Sequence, residues 1–179
     1  MKNWNFVFAG FGGQGILFTG KVVAYTGLVD DREVSWLPSY GPEMRGGTAN
    51  CSVCLSDTPI GSPLVLQPDA IVVMNNPSYD KFIDTVVPGG VAVVDSSLVD
   101  RKTGRRDITA VYIPATKLAQ DNGIPKLANL IMLGGLLKAT GFTSLDSVRA
   151  AVEKCVPPTK PELVELNMKA ITLGESFVG

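Results

Sequence analysis

Glu43 and Arg45 are the residues best placed to do chemistry in this sequence. They stand two apart around Met44, in the run Ser39-Tyr40-Gly41-Pro42-Glu43-Met44-Arg45-Gly46-Gly47-Thr48. A carboxylate and a guanidinium at that spacing can take part in acid–base work or clamp an anion. They can also simply pair at the surface, where such a pair contributes little. Gly41-Pro42 signals a turn, because proline fixes its own φ and restricts the residue before it. Gly46-Gly47 signals a second bend, where backbone can come close to a ligand or another chain. The run therefore reads as a rigid polar loop, and its bland alternative is a connector carrying a surface ion pair.

A second polar, glycine-rich stretch precedes it. Gly10-Phe11-Gly12-Gly13-Gln14-Gly15 follows the apolar run Asn5-Phe6-Val7-Phe8-Ala9 and leads into a helical pattern over residues 16–28. Ile16, Gly20, Val23 and Gly27 recur along one face of that pattern. Gly10, Gly12 and Gly15 have the Gly-x-Gly-x-x-Gly spacing of a dinucleotide-binding turn, in which backbone N–H groups meet an anion at the positive end of a helix. Such a site also uses an acid at the end of the second strand. Here Glu33-Val34-Ser35-Trp36-Leu37 is followed by no acid before Glu43, and Asp30 and Asp31 lie at the wrong end. NAD is disfavoured; a phosphate-bearing group and a plain tight turn both stay open.

Other chemistry is excluded by what is missing. The chain has no histidine, no Gly-x-Ser-x-Gly elbow and no P-loop lysine, so the usual general base, triad and triphosphate cradle are absent. Its cysteines are Cys51, Cys54 and Cys155. Cys51-Ser52-Val53-Cys54 invites a metal or redox reading, but three thiols fall short of a four-ligand site. Residues 48–56 also alternate like a strand, which puts Cys51 and Cys54 on opposite faces. They read as structural thiols in a reducing compartment. Alone, the chain reads as a binding and scaffolding domain with a pre-shaped crevice.

The elements that position these segments follow from periodicity. A buried first strand is expected at residues 5–9, a second strand at 33–37, and near-continuous apolar strands at 70–74 and 91–95, with a further alternating strand at 108–113. The polar face of the 48–56 strand is Asn50, Ser52, Cys54 and Ser56; with Asp57-Thr58-Pro59-Ile60 it reads as an antiparallel edge or hairpin. Asn75-Asn76-Pro77-Ser78 reads as the cap of a helix over 79–87. Asp95-Ser96-Ser97 reads as capping or turn chemistry rather than a site. Arg101-Lys102-Thr103-Gly104-Arg105-Arg106 reads as a solvated hairpin tip rather than an anion site. Helices are expected over 115–122, 127–140, 143–155 and 162–177. Asn129 is the one early uncharged polar side chain of the 127–140 helix, and Gly134-Gly135 within it implies close packing. The fold class is α/β: three layers, α/β/α, with a mostly parallel Rossmann-like sheet, an antiparallel edge hairpin and a helical C-terminal part.

At 179 residues a single domain spanning 1–179 is expected. Charged residues make up 18% and the net charge is −1, so no basic excess points to nucleic acid or an anionic membrane. No run reaches the roughly 20 apolar residues of a membrane span, and no signal peptide is read. A cytoplasmic location is expected.

The run SYGPEMRGGTAN at residues 39–50, together with Gly10-Phe11-Gly12-Gly13-Gln14-Gly15, resembles the gamma subunit of 2-oxoacid:ferredoxin oxidoreductases. The wording is more like the 2-oxoglutarate branch than the pyruvate or branched-chain branches. The resemblance implies a complex with alpha and beta subunits, and in some members delta, that oxidatively decarboxylates a 2-oxoacid to an acyl-CoA and passes electrons to ferredoxin. It implies thiamine diphosphate, Mg and iron–sulfur clusters in the partner subunits, coenzyme A as co-substrate, and no cofactor held by this chain alone. The candidate ligand and interface residues are Gly10, Gly12, Gly13, Gln14, Gly15, Ser39, Tyr40, Gly41, Glu43, Arg45, Gly46, Gly47, Thr48 and Asn129, and the glycine loop and residues 40–48 are expected at the assembled interface, near the coenzyme A path. Acting on pyruvate, branched-chain 2-oxoacids or indolepyruvate is the alternative, and a free-standing nucleotide-binding domain is a second one.

Overall fold

A computed structural model describes residues 1–39 and 48–179. Among these, the apolar run at the N-terminus forms β1 (Trp4–Phe11), the strand around which the sheet is built. Its side chains alternate between two cores. Phe6 and Phe8 enter one, and Val7 and Ala9 enter the other. The remaining strands are β2 (Glu33–Ser39), β3 (Thr48–Ser56), β4 (Ala70–Val73), β5 (Val91–Asp95) and β6 (Thr109–Ile113), in the sheet order β2-β3-β1-β4-β5-β6. β1, β4, β5 and β6 are mutually parallel. β3 runs antiparallel to both β1 and β2, pairing Cys51 with Phe8 and with Pro38.

One face is covered by α1 (Ile16–Val29), α3 (Ala115–Asp121), α4 (Ala128–Thr140), α5 (Leu145–Cys155) and α6 (Glu162–Val178). The other is covered by α2 (Asn76–Phe82), which runs on into a 3-10 turn at Ile83–Thr85, and by Val65, Val99 and Ile108. α1 lies close on the sheet because Gly20 and Gly27 face it. A Cβ at Gly20 would overlap Cys51 Sγ, and one at Gly27 would stand 2.6 Å from Leu55 Cδ2 and from Val34 Cγ2. The expected close packing at Gly134-Gly135 is present and has two partners. Gly134 meets the backbone of α6 at Ile171, and Gly135 meets Ile113 and Val93 of the sheet. Among the described residues no helix is long and apolar enough to cross a membrane.

Three expectations are corrected. The antiparallel edge pair is β2 with β3, from Glu33 opposite Ser56 to Ser39 opposite Asn50, and residues 57–60 form no strand. Asp57 is held in a turn instead: its N–H donates to Asn3 Oδ1 at 3.1 Å, and its carboxylate accepts from Arg32 Nε at 3.1 Å. The basic segment is a crossover between parallel β5 and β6, not a hairpin tip. Arg105 is bound into it, donating to Ile83 O at 3.1 Å, to Val86 O at 2.8 Å and to the Asp107 carboxylate, while Arg101 pairs with Asp80. The helix expected over 79–87 begins earlier, at Asn76, because Asn75 Oδ1 caps it by accepting from Ser78 N at 2.8 Å.

A crevice at the carboxyl ends of β1 and β4

β1 and β4 are adjacent and parallel, yet the helices that follow them lie on opposite faces. At such a reversal the connections diverge and leave a crevice outside the carboxyl ends of the strands, the usual ligand position in open α/β sheets. The glycine loop forms one wall of it. Gly13 (φ 89°) and Gly15 (φ 76°) take left-handed conformations that admit other residues only under strain. Gln14 fixes the loop: its Oε1 accepts from Phe11 N at 2.6 Å, and its Nε2 donates to Met74 O, just beyond β4, at 3.1 Å.

Gly15 is the N-cap of α1 and supplies no side-chain cap, and no acid stands in the first turn. The leading N–H groups of α1 therefore carry the positive end of the helix toward the loop. Gly15 O accepts from Thr19 N, Thr19 Oγ1 and Asn129 Nδ2, each at 3.0 Å. Asn129 sits in the first turn of α4, which also lacks a side-chain cap. Two helix N-termini thus meet at Gly15.

Met74 stands on the other side of it, and the chain goes on from there into Asn75-Asn76-Pro77-Ser78, the start of α2. Among the described residues, four buried side-chain atoms lack a hydrogen-bond partner: Asn75 Nδ2, Asn76 Oδ1, Ser78 Oγ and Asn129 Oδ1. Asn129 meets the glycine loop at Gly15, and the other three follow Met74 in the chain. In the sequence, residues 75–78 read as a cap alone. A polar tetrad directly after a doubly buried strand was the signal available there.

Hollows flank the loop on both sides. One of about 180 Å³ is lined by Gly13, Gln14, Met74, Thr116 and Lys126, and one of about 280 Å³ by Phe11, Gly12, Gly15, Phe18 and Ala49. A larger open cleft of about 500 Å³ lies elsewhere, between Leu37, Ser52, Leu64, Leu66 and Phe82. None of the four unpaired atoms belongs to a residue that lines any of these three cavities.

Ser39 and Thr48 lie at the same sheet edge: β2 runs parallel to β1, and Thr48 stands opposite Phe11. Tyr40, Gly41, Glu43, Arg45, Gly46 and Gly47 lie outside the described residues. Asp95, fully buried, accepts from Ser97 N at 3.0 Å and from Thr116 Oγ1 at 2.6 Å, which is the expected turn and capping chemistry.

The missing ribose acid has a topological counterpart. β3 is inserted between β1 and β2, so the strand that would carry the acid is two positions from the glycine loop and ends in Ser39. An iron–sulfur cluster does not fit this chain's thiols. Cys51 packs under α1, with Sγ 3.8 Å from Ile16 O, and burial pushes its thiol up to about 12. Cys54, three residues along the same strand, lies on the opposite face of the sheet. Among the described residues no group of acids and thiols is clustered to hold a metal ion.

The family model described as pyruvate ferredoxin/flavodoxin oxidoreductase matches residues 5–177. The chain is similar to 2-oxoglutarate synthase subunit KorC of Methanocaldococcus jannaschii, at 40% identity over 83% of this chain and 81% of that one. It is similar to ketoisovalerate oxidoreductase subunit VorA of Methanothermobacter thermautotrophicus, at 39% identity over 94% of this chain; there it spans only 35% of the relative's length. A solved keto/oxoacid ferredoxin oxidoreductase gamma subunit from Geobacter sulfurreducens matches with a TM-score of 0.85 and 30% identity, over 98% of this chain and 96% of that one.

Proposed function

The chain belongs to the pyruvate ferredoxin/flavodoxin oxidoreductase family, and from that premise we propose that it is the gamma subunit of a 2-oxoacid:ferredoxin oxidoreductase. The complex converts a 2-oxoacid and coenzyme A into an acyl-CoA and carbon dioxide, delivering two electrons to ferredoxin. Thiamine diphosphate with Mg and the iron–sulfur clusters supply decarboxylation and electron transfer from the alpha and beta subunits, for which this chain offers no clustered thiols or carboxylates among its described residues. Its own part is to bind and to position.

The observation that carries this reading is the glycine loop at the β1/β4 reversal, with uncapped helix N-termini converging on it. Backbone donors there suit a phosphate of coenzyme A. The role proposed for Arg45 is to meet an anion or a partner carboxylate; in the alternative, Glu43 pairs with Arg45 and only fixes the loop. The 2-oxoacid is 2-oxoglutarate on the wording of residues 39–47. A branched-chain 2-oxoacid is the second reading, and the similarity to VorA supports it.

The test is to recover the tagged chain with its partners from native extract. The fraction is then assayed for 2-oxoacid- and coenzyme A-dependent reduction of a viologen dye, across 2-oxoglutarate, 2-oxoisovalerate and pyruvate. Activity on 2-oxoglutarate supports the reading in full, and activity on 2-oxoisovalerate alone corrects the substrate. Recovery of a partnerless chain with no activity sinks it.

A further inference from the structure

The sheet face that carries α2 is covered unevenly. α2 packs on β1 and β4. Beyond it, Val7, Ser52 and Leu37 stand in one row across β1, β3 and β2, and all three line a cleft of about 500 Å³. Leu64-Val65-Leu66 flank that cleft in a segment that is neither helix nor strand. Val65 packs against the core, as Phe82 does, and pins the segment. Leu64 and Leu66 are left 58% and 72% exposed, and Leu37 38% exposed. Three large aliphatic side chains held in water around one cleft form the kind of apolar patch that marks a contact surface. Among the described residues Lys81 is the only charged one that lines the cleft. Its ammonium stands 5.3 Å from the Phe82 ring centroid. Among the described residues it has no carboxylate partner, since neighbouring Asp80 pairs with Arg101.

We propose that this cleft docks a companion subunit of the oxidoreductase, through an apolar segment that brings a carboxylate to Lys81. This rests on the reading of the chain as a gamma subunit, and it concerns a surface other than the glycine-loop crevice. Two features argue for a companion rather than a second copy. An isologous contact sets a patch against itself, and this patch would then offer Lys81 no acid. The chain also spans only 35% of the length of VorA, so there it is joined to further polypeptide. Ser39, already a candidate interface residue, lines the same cleft. The leucines supply the affinity as apolar area leaves water, and the Lys81 pair, at the rim, sets register and association rate.

The experiment recovers the tagged chain with its partner subunits from native extract and assays the fraction for 2-oxoacid- and coenzyme A-dependent viologen reduction. It compares the parent with a Leu64→Asp, Leu66→Asp double variant, with Lys81→Glu, and with Leu145→Asp as a control. Leu145 is 39% exposed and lies in α5, outside the cleft. The substituted side chains are exposed, so each variant chain alone should melt within about 2 °C of the parent. The proposal predicts about tenfold less companion subunit and activity recovered with the double variant. It predicts about threefold less with Lys81→Glu, a gap that closes at high salt, and parent-like recovery with Leu145→Asp. Parent-like recovery with the double variant overturns the proposal and leaves the gamma-subunit reading standing. An equal loss with Leu145→Asp also overturns it, because any added acid would then do the same. Unchanged recovery with Lys81→Glu overturns the carboxylate and leaves the apolar docking. Sizing of the isolated chain excludes the other occupant: a dimer that the double variant dissociates assigns the cleft to a second copy and overturns the proposal. A parent chain that recovers no partner sinks the gamma-subunit reading and the proposal with it. If the double variant melts lower, Leu66→Gln alone carries the same comparison.

Discussion

Asn129 Nδ2 donates to Gly15 O at 3.0 Å across 114 residues of chain, and it occupies the space a Cβ on Gly15 would need. One contact therefore joins the start of α4 to the start of α1 and forbids a side chain at the last glycine of the loop. Gly15→Ala combines a left-handed φ with that overlap and should cost about 2–4 kcal/mol. Asn129→Ala, which loses the bond but also removes an unpaired Oδ1, should cost about 1 kcal/mol. The double variant should be less destabilised than the sum by at least ~0.5 kcal/mol, because Asn129 is the group that the added methyl strikes. Urea unfolding of the three variants measures this, and strict additivity would show that the two residues are not coupled.

The contact between α4 and α6 is reciprocal. A Cβ on Gly134 would strike Ile171 O, and one on Gly174 would strike Ile131 O. Backbone cannot rotate out of the way, so either substitution by Ala must push the helices apart and should cost about 3 kcal/mol or more. Gly135→Ala meets only the end of the Ile113 side chain, which can turn, and should cost about 1–2 kcal/mol. Denaturation midpoints give the ranking. Gly135→Ala proving the worst of the three would refute the argument.

Much of the fold was legible in the sequence for identifiable reasons. β4 and β5 were readable because runs such as Ala70-Ile71-Val72-Val73 are apolar at every position, which follows from helices on both faces. α1, α4 and α5 were readable because Gly15, Gly141 and Ser144 punctuate them. The pairing of β3 was not legible. A period of two says which side chains share a face, not which strand lies alongside, and Thr58-Pro59-Ile60 resembles a strand until Arg32 and Asn3 are seen holding Asp57. The glycine loop was visible from spacing alone. The cap at residues 75–78 was visible because an Asn-x-x-Ser cap is local, whereas an unpaired Nδ2 appears only once burial is known.

Arg105 ties the β5–β6 crossover to the 3-10 turn, donating to Ile83 O and Val86 O as well as to Asp107. Its guanidinium holds the Asp107 carboxyl below the usual carboxylate range. A carboxyl depressed by folding adds stability above its unfolded pKa, near 4, and that stability is lost as pH falls through the folded value. Arg105→Met should melt lower than the parent at pH 7. In Asp107→Asn the loss of stability between about pH 5 and pH 2 should be shallower than in the parent. Melting curves across that range decide it; superimposed acid limbs would show that the exposed pair does not contribute.

The thiols should differ in reactivity as their surroundings differ. Burial pushes the Cys51 thiol up to about 12, so at pH 8 about one molecule in ten thousand carries the thiolate there. Burial raises Cys54 as well, while Cys155 is only half-buried and Lys21 opposes its rise. Iodoacetamide at pH 8 should therefore label Cys155 first and leave Cys51 intact until the chain is unfolded. Peptide mass mapping reads the order. Early labelling of Cys51 would mean that α1 lifts from β3 in the native protein.

The inserted strand also decides the dinucleotide question. A dinucleotide turn works when the second parallel strand lies beside the first, so that phosphate and ribose contacts fall about 5 Å apart along the sheet. Here antiparallel β3 stands between β1 and β2, which doubles that step to about 10 Å, and the carboxyl end of β2 offers Ser39 in place of an acid. NAD can use the backbone donors of the loop but finds no ribose-binding acid at the end of β2 among the described residues, whereas coenzyme A needs no such acid. Millimolar NAD should leave the melting temperature of the chain within about 1 °C. Coenzyme A binding with a dissociation constant a hundredfold below its concentration would add about 2.7 kcal/mol and raise it clearly. A shift with NAD equal to that with coenzyme A would mean that the glycine spacing alone suffices, and that the topology around it does not discriminate.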